Sequence, residues 1–118
     1  MSLEHRLRLL TEGGMLRPEN LGRVRKVLAY FSDVHGILLT EENAAAFVTH
    51  LCCALERTAK GEPVEELDPE IYEETRAEPT FEKALAVSRD LLAMNPELPE
   101  AELKYITMYV GVLLTSLS

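Results

Sequence analysis

Residues 40–61 read TEENAAAFVTHLCCALERTAKG, and this stretch decides the fold. Thr40 is a good N-cap, and Glu41 and Glu42 suit the positive end of a helix dipole. Gly61 supplies the stop, so the spacing predicts a helix from about Glu41 to Lys60. With Leu51 at the centre of its apolar stripe, a step of about 100° per residue places Ala44, Phe47, Val48, Ala54, Leu55 and Thr58 within about 60° of it. His50 falls at about 100°, on the border between core and solvent. Asn43 and Arg57 lie seven residues either side of His50, nearly on the same line, with successive Cα atoms roughly 10 Å apart. A histidine at the edge of a core with an arginine two turns away suits the making and holding of a phosphohistidine. The same features also fit a half-buried histidine satisfied by a neighbouring polar group.

The same pattern extends in both directions. From Pro18 an apolar stripe of Leu21, Val24, Leu28 and Phe31 predicts a helix ending near Asp33 to Gly36. Asp68 and Pro69 open a short helix that ends before Pro79. Thr80 caps another, carrying Leu85, Leu91 and Leu92 and stopping near Asn95-Pro96. Pro99, with Glu100 and Glu102, opens a fifth whose buried stripe is Leu103, Ile106, Val110, Leu113 and Leu117. Leu3, Leu7 and Leu10 are also helically spaced, but Gly13-Gly14 follows at once, so residues 1–17 read as an N-terminal arm in which residues 3–12 form a short arm or helical turn. Met1-Ser2-Leu3 is consistent with a vector-derived start and receives no role. The expectation is an all-α domain over residues 18–118, a five-helix bundle without internal repeats. Few β-branched or aromatic residues and no Trp agree with it.

A chain of 118 residues fits one domain. Its formal charge of −8 at pH 7 argues against the extended basic surface that nucleic-acid backbones require. Arg17, Arg23, Arg25 and Lys26 cluster in sequence but spread around one helix, as a solvated face does. Cys52 and Cys53 are helical neighbours pointing about 100° apart, which suits a reducing compartment rather than a disulfide. No apolar run approaches the roughly 20 residues needed to cross a bilayer, so the expected location is the cytoplasm. The acidic residues of 61–68 lack histidine partners and calcium-loop spacing, so no metal is expected. A Cys53–His50 nucleophile pair would be sterically feasible, but no orienting acid accompanies it. His5 and His35 fall on the arm and in a turn, where polar residues are ordinary.

Phe47-Val48-Thr49-His50-Leu51-Cys52-Cys53-Ala54-Leu55-Glu56-Arg57, followed by Gly61, resembles the first signature of PTS regulation domains: a helical His-Leu or His-Ile, an apolar stretch, then Glu-Arg. Leu98-Pro99-Glu100-Ala101-Glu102-Leu103-Lys104-Tyr105-Ile106-Thr107-Met108-Tyr109 resembles the second, in which a Glu precedes a second histidine by seven residues. The resemblance spans about residues 18–115. It implies a five-helix bundle, often dimeric, in which histidines accept phosphoryl groups from phosphohistidine proteins of the sugar phosphotransferase system and so switch a transcription regulator.

Two departures stand out. Tyr109 replaces the second histidine, leaving Tyr109 and Glu102 as a degenerate second site, and Thr49 stands where many members have Asp. The resemblance therefore implies a regulatory protein and not an enzyme, with His50 as phosphoacceptor and Arg57 and Asn43 as phosphate-stabilising residues. No cofactor is implied. The expected partners are a phosphohistidine carrier or a sugar-transporter subunit of the phosphotransferase system, and a second copy of the chain, with transcriptional output acting in trans. The alternative is a structural interaction module that kept the fold and lost phosphorylation.

Overall fold

The computed structural model describes residues 1–62 and 64–117. Pro63 and Ser118, the end of the expected domain, lie outside the described residues. All regular structure among the described residues is helical: α1 (Leu3–Glu12), α2 (Pro18–His35), α3 (Glu41–Ala59), α4 (Pro69–Arg76), α5 (Phe81–Met94) and α6 (Glu102–Ser116). The helices therefore number six where five were expected, and the extra one comes from the supposed arm. Ser2 accepts a hydrogen bond from the backbone N–H of His5 and caps α1. Leu3 and Leu7 are buried, Leu10 partly so, in the same core as Val24, Phe31, Leu51 and Ile106. Ten residues are too few for a stable isolated helix, so α1 depends on this packing.

Local chemistry sets the other boundaries. Arg17 precedes α2 without a side-chain cap, and Pro18 occupies the first turn, where a missing N–H costs nothing. At its far end Gly36, at φ 65°, closes the helix with Gly36 N–H to Ser32 O and Ile37 N–H to Phe31 O, a left-handed closure that favours glycine. α3 begins with a reciprocal capping box: Thr40 Oγ1 accepts from Asn43 N–H and Asn43 Oδ1 accepts from Thr40 N–H. Asp68 caps α4 through Glu70 N–H.

Two expected boundaries differ. Thr80 does not cap α5; its backbone is already helical and its hydroxyl instead donates to Gly111 O on α6. α6 starts at Glu102, not at Pro99, and Leu117 lies just beyond it and is exposed.

α6 packs against α5, α3 and α4, α3 also packs against α2, and α1 packs on α2. Phe31 of α2 and Phe47 of α3 meet edge to face, with ring centroids 5.7 Å apart, inside the range that favours such pairs. The packing of α6 on α3 sets the first two turns of α6 beside the residues that follow His50. No helix among the described residues is long and apolar enough to cross a membrane.

Candidate functional site

Glu102 is the centre of the site. It sits in the first turn of α6 with its side chain only 1% exposed, and its two carboxylate oxygens face α3. Oε1 lies 3.1 Å from His50 Nε2, and Oε2 accepts from Arg57 Nη2 at 2.9 Å. Two residues seven apart on α3 thus converge on one carboxylate from across the helix interface. Burial pushes the Glu102 carboxyl up, but the hydrogen bonds and charges of His50 and Arg57 outweigh it and hold the group below the ordinary carboxylate value. Glu102 is therefore an anion at neutral pH, and an anionic carboxylate only accepts hydrogen bonds.

That fixes the tautomer of His50. In the neutral imidazole, Nε2 carries the proton toward Glu102, and Nδ1 holds the free lone pair. Nδ1 makes no hydrogen bond among the described residues. The one buried side-chain nitrogen or oxygen left without a partner among them is Arg57 Nε, so Nδ1 is reached by solvent. The imidazole is steered further by α6: it stacks on Tyr105 at 5.5 Å and on Tyr109 at 4.7 Å between ring centroids. His50 is thus held on an edge and both ring contacts, while its side chain keeps 11% exposure.

His50 opens into a shallow cleft of ≈ 480 Å³ lined by Arg6, Ala46, Thr49, Arg57 and Tyr109 among others. Arg57 stands at one side, 32% exposed. On the other stands Arg6 of α1, a residue with no motif to announce it. Its guanidinium pairs with Glu41 at the start of α3, through Nε and Nη2, and Nη1 donates to Thr49 Oγ1 at 3.4 Å. The Arg6–Glu41 pair holds the Glu41 carboxyl below its ordinary value, through its hydrogen bond first.

Several expected site residues move. Asn43 does not reach His50: its amide is committed to the capping box and to Leu38 O, two turns of helix away from the imidazole. Glu102 belongs to the His50 site and not to a separate second one. Tyr109 packs its ring on His50 and on the core, but its hydroxyl has no hydrogen bond among the described residues, so it faces solvent and not the polar partner that a buried phenol would need. His5 is exposed on α1. His35 ends α2 and shares the Tyr30 hydroxyl, which donates to Asp90 on α5. Burial and then that Asp90 bond push the Tyr30 phenol well above its ordinary value, so Tyr30 ties α2 to α5 as a neutral phenol. Cys52 is a buried thiol pushed up to about 12, first by burial, whereas Cys53, the thiol of the feasible pair with His50, is exposed and lines the same cleft. Among the described residues no group of His, Cys, Asp and Glu is arranged to hold a metal ion.

The other half of the Glu-Arg pair has its own task. Glu56 is buried, and its carboxylate accepts from Arg17 N–H at 3.0 Å, from Asn20 Nδ2 at 2.6 Å and from Arg17 Nε at 3.4 Å. It serves as the cap that Arg17 does not supply, an anion placed at the positive end of α2 from 39 residues away. Burial raises its carboxyl, while these donors bring the net value below the ordinary 4.5. A carboxyl whose folded pKa is lowered adds stability above its unfolded pKa and loses it as pH falls through the folded one. Stability is thus expected to decline as pH drops below about 4.5, and Glu56→Gln should flatten that decline in urea titrations run from pH 6 to pH 3. An unchanged slope would remove Glu56 from the acid sensitivity.

A family model for the PRD domain matches residues 25–112. This chain belongs to that family, a regulation domain of the sugar phosphotransferase type. No curated protein and no solved structure matches it. The match covers His50, Arg57, Glu102 and Tyr109 and leaves Arg6 and all of α1 outside.

Proposed function

We propose that this protein is a phosphorylation-controlled regulator in which His50 accepts a phosphoryl group from a phosphohistidine carrier, or a sugar-transporter subunit, of the phosphotransferase system. The observation that carries this reading is the Glu102 carboxylate at His50 Nε2, which leaves Nδ1 as a solvent-reached nucleophile. The step is a displacement. The Nδ1 lone pair forms an N–P bond as the donor's P–N bond breaks, and that electron pair returns to the donor imidazole, which becomes neutral. The positive charge gained by the His50 ring stays beside Glu102, as a histidine base is steadied by an acid on its other nitrogen. Arg57, which borders the cleft while bound to Glu102, would add its positive charge to the field that a phosphoryl group meets there. The protein supplies no reaction of its own beyond accepting and losing this group, and the transfer needs no metal or cofactor.

The added charge of about −1.5 to −2, on a chain already at −8, would act on packing or self-association and through it on transcription by a partner in trans. The free thiols of Cys52 and Cys53 support a cytoplasmic setting, where such carriers work. Incubation of the purified protein with a phosphorylated carrier should give an acid-labile mass gain of one phosphoryl group. A carrier that stays fully phosphorylated beside it would leave the alternative, an interaction module without phosphorylation. The protein is further proposed to be a homodimer, a reading supported by Val34 and Leu38, which stand 62% and 75% exposed around the end of α2. Light scattering at high micromolar concentration should report the dimer mass, and monomer alone would refute it.

A further inference from the structure

We propose that Arg6, on α1, is a ligand of the phosphoryl group on His50, making α1 the element that registers phosphorylation. This rests on the phosphoacceptor reading above. The two cations that border the cleft are not equally free to turn to a new anion. Arg57 is tied to Glu102, a carboxylate 1% exposed with no solvent to replace its partner. Arg6 is tied to Glu41, with side chains 31% and 17% exposed, so water can take over from either partner when the pair opens. Its other contact is the neutral hydroxyl of Thr49, the residue immediately before His50, so one carboxylate alone balances its charge there. A planar guanidinium with donors to spare matches a phosphoryl group better than a carboxylate it must share with solvent.

A phosphoryl group on Nδ1 would therefore draw Arg6 from Glu41 toward the cleft. Arg6 is the main polar tie between α1 and the start of α3, so its transfer shifts how α1 is held against the bundle. The residue lies outside the span matched by the PRD family model, and the device belongs to this chain's own N-terminal helix.

The test loads His50 chemically, without a carrier, using phosphoramidate. Its P–N bond breaks as the Nδ1–P bond forms, and ammonia leaves. The half-life of the phosphohistidine is then followed by intact-protein mass spectrometry in the full chain, in Arg6→Gln and in Glu41→Gln. Arg6→Gln is expected to shorten the half-life about tenfold, the effect of one charge-assisted hydrogen bond. Glu41→Gln breaks the same ion pair but frees Arg6, so it should leave the half-life equal or longer. If Arg6→Gln has no effect, or both variants shorten the half-life alike, Arg6 only fastens α1 and the proposal is wrong. If phosphoramidate places no phosphate on His50 in the unaltered chain, the phosphoacceptor reading itself fails, and this proposal with it.

Discussion

His50→Ala is expected to reduce acid-labile phosphate incorporation from a phosphorylated carrier to background, while His5→Ala and His35→Ala retain it in full. Of the three histidines, His50 alone has a ring nitrogen held by a buried anion, with the other left open. His5 is exposed without an orienting partner other than its backbone cap, and His35 shares its Nε2 with the Tyr30 hydroxyl. Alanine also removes one of the two donors to Glu102, so His50→Gln is the stricter variant. Its amide keeps a donor in reach of Glu102 and offers no nucleophile, and it should fold while remaining unphosphorylated. A thermal melt within a few degrees of the parent would confirm that loss of phosphate is chemical; a shift of roughly 4–8 °C accompanies each kcal/mol in domains near this size. Phosphate that survives both substitutions at His50 and vanishes on changing His5 or His35 would move the site to another histidine. Tyr109 offers no alternative phosphoramidate, since a phenol oxygen forms an acid-stable ester instead.

What could be read from the chain divides along the distance over which each signal acts. α3 was legible almost to the residue because Thr40, the acidic first turn and Gly61 all act within a few positions of its ends. The stripe centred on Leu51 placed Ala44, Phe47, Val48 and Leu55 correctly in the core. Only the Thr40 half of its capping box was legible, and Asn43 was read as a phosphate-stabilising residue because it stands in register with His50. In the structure Asn43 fills the place that Glu or Gln takes in a capping box and bonds back to the N-cap. α1 was read only as a short arm or helical turn for the opposite reason: its spacing was visible, but ten residues ending at a glycine pair have too little intrinsic stability to announce a full helix. Only contact with α2 decides it.

The site shows the same division. His50 and Arg57 stand out on one helix, but their meeting place is a carboxylate 52 residues beyond His50. Nothing in the α3 segment points to Glu102, and the second motif, with its tyrosine in place of histidine, drew attention to the wrong neighbour of that glutamate. Glu56 falls about 140° from Leu51 by the same 100° step, on the side where a solvated charge is expected, so nothing local marks it as buried. The reason for its burial became apparent only when α2 was seen to start without a cap of its own. Arg6 carried no signal at all, since a lone arginine on a presumed arm is indistinguishable from solvated charge.

The convergence on Glu102 makes Arg57 a fold residue as well as a site residue, and Arg57→Met should lower the unfolding free energy by about 3 kcal/mol at pH 7. Removing one partner of a buried pair leaves a charge that the interior cannot solvate, at a cost of roughly 3–5 kcal/mol. The lower end applies because the Arg57 side chain is itself partly exposed and His50 still faces the other oxygen. Methionine preserves the aliphatic stem, so the loss reports charge more than packing. The sign with pH follows from Glu102, whose folded carboxyl lies below its ordinary value. In the parent its contribution is present above the unfolded pKa and disappears as pH falls through the folded one. In Arg57→Met the folded pKa rises, Glu102 takes up a proton sooner, and the deficit against the parent should shrink toward acid pH. Glu102→Gln in the same background should recover part of the loss at pH 7, because the stranded charge is gone, and the double-mutant cycle should show coupling of 1 kcal/mol or more, within the about 0.5–3 kcal/mol typical of residues in contact. Urea melts with equal m values would measure all four proteins. A cost below about 1 kcal/mol for Arg57→Met, the level of an exposed pair, or no relief from Glu102→Gln would show that solvent already reaches this carboxylate, and the tautomer assigned to His50 would lose its support.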